Sequence, residues 1–324
     1  MKVVLLKHAT NTGGVEKFIA SFLAESRFDA QPLNVDVPMG FAGRWTYLRR
    51  LRRALPERVD VIVSCHIDTV ETGLWLARRT GAFHVFREPA GAVHPFLTKT
   101  AARLLSRSLC IALSDAAIER WRNAGFQGPS AVVRPRILAC LPMRMPDMNA
   151  PLSLVHVGNF FPEKDHPACI VLFEELKARW SAPVHLDLIG HPTATAYSAH
   201  VQNLAYRTEG VRLKSGVASA EDLLDSYSIG LLTSVSEGFG YVLLEYAGRG
   251  LPFFTTRTEG IAEVLPDDSP VFLPSNPAHW ADHILHCVTS PEWRFALEAA
   301  QQALVASTSY TEAYDEAILR HCSK

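Results

Sequence analysis

Short runs of aliphatic and β-branched residues alternate with longer amphipathic stretches along most of this chain, and that alternation restricts its architecture more than any other feature. Val3–Leu6, Val59–Ser64, Val85–Phe86, Leu109–Leu113 and Ala131–Val133 read as strands, with helical patterns between them at about 14–25, 44–55, 69–79, 92–106 and 115–124. The second half repeats the style with Leu152–Val157, Val184–Ile189, Ile229–Thr233, Pro252–Thr255 and Val271–Leu273. Strand and helix in alternation predict parallel sheets covered by helices on both faces, an α/β chain of two doubly wound domains. Ligands of such sheets sit beyond the carboxyl ends of the strands, so the expected site is a cleft between the domains.

A length of 324 residues suits two domains of roughly 150 residues. Pro142, Pro146 and Pro151 fall close together and break both helix and ladder, so this stretch reads as a linker. The expected division is an N-terminal domain over 1–145, a C-terminal domain over 146–308, and a C-terminal helix over 309–324 free to return to the first domain. Residues 1–150 hold 21 Lys and Arg against 12 Asp and Glu, a balance of +9, which leaves 11 against 21, or −10, from the chain totals of 32 and 33. A basic half favours an anionic partner such as membrane lipid, a phospholipid-linked acceptor or nucleic acid, and charge alone does not choose among these. No apolar run approaches the ~20 residues needed to cross a bilayer, and Val3–Leu6 is too short for a signal peptide, so the expected location is cytoplasmic. The six cysteines are scattered without a Cys-x-x-Cys pair and read as reduced thiols, not as a metal site.

The most informative segment runs from Ser236 through Glu237, Gly238, Phe239 and Gly240 to Glu245, just after the strand Ile229–Thr233. A Gly-rich turn between strand and helix exposes backbone N–H groups at the positive end of the helix, where a diphosphate can bind. Glu245 follows Glu237 by about two helical turns and is expected on roughly the same face. The alternative is an ordinary strand-to-helix connection carrying two polar residues.

The stretch from Ser236 to Pro252 resembles the signature of the family-4 retaining glycosyltransferases, which have the GT-B fold: Glu-Gly-Phe-Gly, a second Glu at 245, then Gly250-Leu251-Pro252, with Gly260-Ile261-Ala262-Glu263 similar to a further family segment. The resemblance implies that Glu237 contacts donor-sugar hydroxyls near the anomeric centre and that Glu245 hydrogen-bonds the ribose. Gly158-Asn159 through Lys164 looks like the family's diphosphate clamp; Lys164 fits, whereas Asn159 stands where relatives carry an arginine. Gly13-Gly14-Val15-Glu16 is similar to the family's first loop, which faces acceptor and phosphates.

His66 follows an apolar strand at a cleft-facing position, where it either contacts a sugar or is satisfied by backbone. Arg87 and Glu88 form a second candidate pair at a strand end. No Asp-x-Asp segment is present to hold a divalent ion, so the resemblance implies a metal-independent, retaining transfer from a nucleotide diphosphate sugar to a glycan or lipid-linked acceptor, with no cofactor. A catalytically impaired GT-B partner subunit and a nucleotide-sugar epimerase of the same architecture stand as alternatives. The Arg44–Arg53 segment reads as a basic amphipathic helix that either packs its stripe of Trp45, Leu48, Leu51 and Leu55 inward or docks on an anionic membrane. With no nucleic-acid-binding fold and an acidic second half, a nucleic-acid partner is not expected.

Overall fold

The computed structural model describes residues 1–8, 14–35, 41–88, 103–135, 137, 140–217, 219–307 and 311–322. They form two compact units, Met1–Pro135 with Ser309–Lys324, and Arg136–Thr308. Gly13 and most of the helix expected over 92–106 lie outside the described residues.

The first unit contains β1 (Lys2–Lys7), α1 (Gly14–Glu25), β2 (Asp29–Asn34), α2 (Phe41–Ala54), β3 (Val61–Ser64), α3 (Val70–Thr80), β4 (Phe83–Glu88), β5 (Leu109–Ala112), α4 (Asp115–Asn123) and β6 (Ser130–Val132). The strands are parallel in the order β2-β1-β3-β4-β5-β6. Val3–Leu6 and Val61–Val63 are wholly buried, the burden of strands covered on both faces. Strand order reverses between β1 and β3, which puts the ends of Lys7 and Ser64 beside the crevice of this sheet.

The second unit contains β7 (Leu152–Val157), α5 (His166–Arg179), β8 (Val184–Ile189), α6 (Ala196–Arg207), β9 (Val211–Lys214), β10 (Ile229–Leu232), α7 (Tyr241–Gly248), β11 (Phe253–Thr255), α8 (Glu259–Ala262), α9 (Trp280–Thr289) and α10 (Pro291–Ala306). Its parallel sheet runs β11-β10-β7-β8-β9, with the reversal between β7 and β10. Tyr246 of α7 locks that reversal: its buried hydroxyl accepts from Val157 N at 3.2 Å and lies 3.4 Å from the carbonyls of Val155 and Leu231. Gly230 makes room for the ring, since a Cβ there would stand 2.5 Å from it. The last helix, α11 (Thr311–Cys322), belongs to the first unit, where Tyr314, Ala317 and Ile318 join the core of Phe18 and Phe22.

One expected strand is reduced, and two strands went unread. The strand expected over Val271–Leu273 is reduced to one bridge, Thr255 to Phe272. β2 and β9 went unread because both are polar edge strands; an edge tolerates Pro32 and the charges of Arg212 and Lys214. The proline-rich stretch is pinned along the second unit, with Leu141 N donating to Gly248 O and Arg144 N to Gly250 O, because residues between the prolines keep their N–H groups.

β9 is fastened by the buried carboxylate of Asp187 on β8, which accepts from Arg212 Nε at 2.5 Å and from the Tyr227 hydroxyl at 2.6 Å, with Lys214 Nζ at 2.7 Å. Burial pushes this carboxyl up, but the hydrogen bonds from Arg212, Lys214 and Tyr227 outweigh it and hold it below its ordinary value.

Candidate active site

The strand reversal of the second sheet brings two sequence-distant loops together. The loop after β7 carries Lys164 and the loop after β10 carries Glu237, and Lys164 Nζ forms a salt bridge with Glu237 Oε1. Both side chains are largely withdrawn from water, 24% and 12% exposed. Ser234 Oγ donates to the same carboxylate oxygen at 2.8 Å. The loops are also sewn through their backbones: Val235 N donates to Glu163 O at 2.8 Å, and Thr233 Oγ1 donates to Asp165 O at 3.0 Å. Gly158 leaves space for the lysine stem, because a Cβ at 158 would lie 3.2 Å from Lys164 Cδ.

Two buried histidines, His156 and His166, flank this loop in sequence. Asp165, at φ 44°, caps α5, and its side chain accepts from Ala168 N. His166 follows; its ring Nε2 lies 3.3 Å from Gly158 O, and its backbone N donates to the Tyr197 hydroxyl at 3.0 Å, with Nδ1 3.2 Å from that hydroxyl. Burial lowers the His166 imidazole to about 4, so it is neutral near pH 7. His156, wholly buried, has its ring centre 4.7 Å from that of His166 at an interplanar angle of 53° and is likewise held neutral by burial, with His166 and Lys164 adding to the effect. Asn159 serves the loop itself: its Oδ1 accepts from His191 N at 3.1 Å, so the side chain that stands in place of an arginine joins the β7 and β8 loops.

Gly240 adopts φ 75° before the first turn of α7, and Gly260 packs so closely under the turn that a Cβ would stand 2.0 Å from Gly238 O. Phe239 is fully buried, so only its backbone is open to a ligand. Glu245 lies half-buried on α7. The helical-spacing argument that linked it to Glu237 does not hold, since α7 begins at Tyr241 and Glu237 precedes it in the loop.

In the first unit His66 caps the short turn Ile67–Thr69; its Nδ1 accepts from Asp68 N at 3.3 Å and lies 3.0 Å from Asp68 Oδ2. Burial lowers its imidazole, against the opposing pull of Asp68. Arg87 and Glu88 are not an ion pair with each other. As neighbours on β4 they face opposite sides of the sheet: the Arg87 guanidinium lies 4.7 Å from the Phe18 ring, and Glu88 Oε2 accepts from Trp121 Nε1 at 2.6 Å. Gly14 opens α1, and Glu16 of the same run accepts from Lys7 Nζ at 3.0 Å. Among the described residues no group of three or more His, Cys, Asp or Glu could hold a metal ion.

Ser234, His166 and Tyr197 were missed by sequence reasoning. Ser234 and His166 stood within two or three residues of the motif positions; Tyr197, brought in by α6, gave no signal.

Residues 151–290 match the family model for glycosyl transferases group 1. The fold is that of HepE from Anabaena solved with UDP and glucose, at 18% identity and a TM-score of 0.76 over 100% of this chain and 99% of that one. It is also shared with OtsA, at 13% identity and a TM-score of 0.70 over 100% and 99%, and with S. aureus TarM solved with fondaparinux, α-GlcNAc-glycerol and UDP, at 14% identity and a TM-score of 0.68 over 86% and 58%. No curated protein matches the sequence. The fold is therefore the GT-B fold of these glycosyltransferases, and the segment matched by the group 1 model lies within the second unit and includes the Lys164–Glu237 pair.

Proposed function

We propose that the chain transfers a sugar from a nucleotide diphosphate sugar to a glycan or lipid-linked acceptor, with retention of anomeric configuration and without a metal ion. The observation that carries this reading is the Lys164–Glu237 salt bridge at the strand reversal of the second sheet, beside the N-terminus of α7. When a donor enters, Lys164 exchanges its carboxylate partner for a diphosphate oxygen. Glu237 is thereby released to accept a hydrogen bond from a sugar hydroxyl, while Ser234 keeps it oriented. The ammonium and the exposed N–H groups of α7 stabilise charge growing on the leaving diphosphate. Glu245 takes the ribose. The protein thus contributes positioning and charge stabilisation, with the leaving phosphate assisting removal of the acceptor proton.

UDP sugars head the donor panel because HepE is also solved with UDP-glucose. Slow donor hydrolysis and thermal stabilisation across nucleotide sugars, followed by NMR of the product anomer, test the proposal; transfer should survive a strong chelator. Inversion, or a strict need for magnesium or manganese, would overturn the corresponding part. Stabilisation without any turnover would favour the partner-subunit alternative, and interconversion of the donor without transfer would favour the epimerase.

A second observation concerns α2. Leu48 and Leu51 are buried, whereas Arg49, Arg50, Arg52 and Arg53 are exposed. Among the described residues no helix is long and apolar enough to cross a membrane. We propose that this arginine face draws the enzyme reversibly to anionic lipid on the cytoplasmic side, at about 1 kcal/mol per charge near such a surface. Co-sedimentation with anionic vesicles at low salt should drop when the four arginines become Gln; equal partitioning of both proteins would sink the idea.

A further inference from the structure

At the end of β7 the backbone itself presents a donor to the site. Along residues 157–160 successive N–H groups face opposite edges of the strand, as in a parallel ladder. Gly158 N donates to Ile189 O at 2.8 Å and Phe160 N to His191 O at 3.2 Å, both on the β8 side. Val157 N faces the other way and donates to the Tyr246 hydroxyl, which also lies 3.4 Å from Leu231 O of β10. Asn159 N follows the same alternation and so faces the β10 side, toward the strand reversal where Lys164 meets Glu237. It has no hydrogen-bond partner among the described residues. The Asn159 side chain is turned to the opposite edge, where Oδ1 accepts from His191 N at 3.1 Å. A backbone N–H left open at the strand reversal of a parallel sheet stands where ligands of such sheets bind, and a donor of fixed direction suits an anion.

The direction of that N–H is set by the carbonyl bonded to it. The Gly158–Asn159 peptide is trans, so Gly158 O and the Asn159 N–H are antiparallel. Gly158 O is confined on two sides: His166 Nε2 lies 3.3 Å from it, and a Cβ on Gly190 would stand 2.0 Å from it. A carbonyl only accepts, so Nε2 carries the imidazole proton, and Nδ1 accepts from the Tyr197 hydroxyl at 3.2 Å. The hydroxyl oxygen in turn accepts from His166 N at 3.0 Å, which closes the circuit and leaves the ring one tautomer. His166 is wholly buried, with the Phe160 ring centre 4.8 Å from its own.

We propose that the Asn159 N–H donates to a diphosphate oxygen of the nucleotide sugar, and that His166 is the positioning residue that aims it through Gly158 O. With the Lys164–Glu237 pair read as a nucleotide diphosphate sugar site, on which this rests, one loop gives the diphosphate two unlike partners. Lys164 supplies a point charge on a flexible stem, and the peptide supplies a dipole already in place. A preorganised N–H needs no reorganisation when charge grows on the leaving group.

The test follows that single amide. Gly158-Asn159 is the one Gly-Asn step in the sequence, so the whole chain labelled with carbonyl-13C glycine and 15N asparagine gives one carbonyl-filtered amide signal. It is titrated with UDP, with inorganic pyrophosphate and with uridine. UDP and pyrophosphate should move the proton downfield saturably, and uridine should not. In His166→Leu the shift should shrink and the dissociation constant of UDP rise about tenfold, the equivalent of one charge-assisted hydrogen bond. His166→Gln, whose amide can donate to Gly158 O, should recover both. An unmoved amide in protein saturated with UDP, or an equal response to uridine, would overturn the assignment to phosphate. Wild-type affinity in His166→Leu, or a His166→Gln no better than it, would leave His166 a packing residue and overturn its positioning role. Should His166→Leu not fold, Tyr197→Phe takes its place, and an undiminished shift there counts against the proposal in the same way. Protein that binds neither UDP nor pyrophosphate would bring down the donor-site reading together with this inference, whereas UDP binding with a silent Asn159 amide sinks the inference alone.

Discussion

Replacing Lys164 with Ala isolates the cation of the proposed site. A charge-assisted hydrogen bond to phosphate contributes on the order of 1.5–3 kcal/mol. Lys164 does not offer all of it, because it must first leave Glu237, and giving up one net hydrogen bond of that kind costs about 1 kcal/mol. The difference, ~0.5–2 kcal/mol, corresponds to a rise in the dissociation constant of UDP of roughly 2- to 30-fold. Isothermal titration of UDP into wild type, Lys164→Ala, Glu237→Gln and the double variant measures it. In Lys164→Ala the carboxylate remains, held by Ser234, and repels the diphosphate; the double variant should therefore bind UDP more tightly than Lys164→Ala alone. Glu237→Gln should bind UDP at least as well as wild type while losing transfer. An unchanged dissociation constant for Lys164→Ala, or Glu237→Gln weakening UDP as much as Lys164→Ala, would refute the assignment of the cation to phosphate and the carboxylate to sugar.

Tyr197→Phe removes the hydroxyl that satisfies His166, and should cost about 1 kcal/mol in urea denaturation and weaken UDP binding while leaving far-UV circular dichroism unchanged; wild-type affinity would show that the brace is irrelevant to the loop. Gly260→Ala places a Cβ 2.0 Å from Gly238 O and 3.1 Å from Glu237 O, so transfer should fall more steeply than melting temperature, and an active Gly260→Ala would contradict the packing. Stability should decline on acidification: burial holds His84 at about 3 and His166 at about 4, both below the ordinary 6.5, so the unfolded chain takes up protons that the folded one refuses. That stability is fully present above about pH 6.5 and is lost as pH falls toward those values, each histidine contributing a slope of up to about 1.4 kcal/mol per pH unit. Urea midpoints between pH 7 and 4.5 should show this, with His84→Gln flattening the profile; an unchanged profile would place the acid sensitivity elsewhere.

The sheets were legible where their strands are covered on both faces, since Val3–Leu6, Val61–Val63 and Ile229–Leu232 must then be continuously apolar. β2 and β9 were not, because an edge strand has neighbours on one side only and carries Pro32 or Arg212 without penalty. In the site, Lys164 and Glu237 could be picked out because each sits in a short local motif at the end of an apolar strand. Their direct salt bridge was not foreseeable, since it depends on β7 and β10 being neighbours across the strand reversal. The brace by Tyr197 is a contact between the first residue of α5 and a residue of α6, 31 positions apart, for which no local pattern exists. Arg87 and Glu88 show the reverse error: adjacency in sequence suggested a pair, and strand geometry sends the two apart.

The return of α11 to the first unit has a consequence for how the molecule is made. The core built on Phe18 and Phe22 needs Tyr314 and Ile318, and residues 136–308 must be translated before those two exist. At about 5–20 residues per second that interval lasts roughly 10–35 s, during which the first-synthesised sheet keeps an apolar gap beside α1. The second unit, all of whose residues are contiguous, has no such delay. The nascent chain should therefore reverse the usual order, finishing its later half first and leaving the earlier half as the client of any chaperone at the ribosome. Limited proteolysis of chains stalled just before α11 would show this as a cleavable first unit joined to a resistant second one, and equal resistance of the two would rule it out.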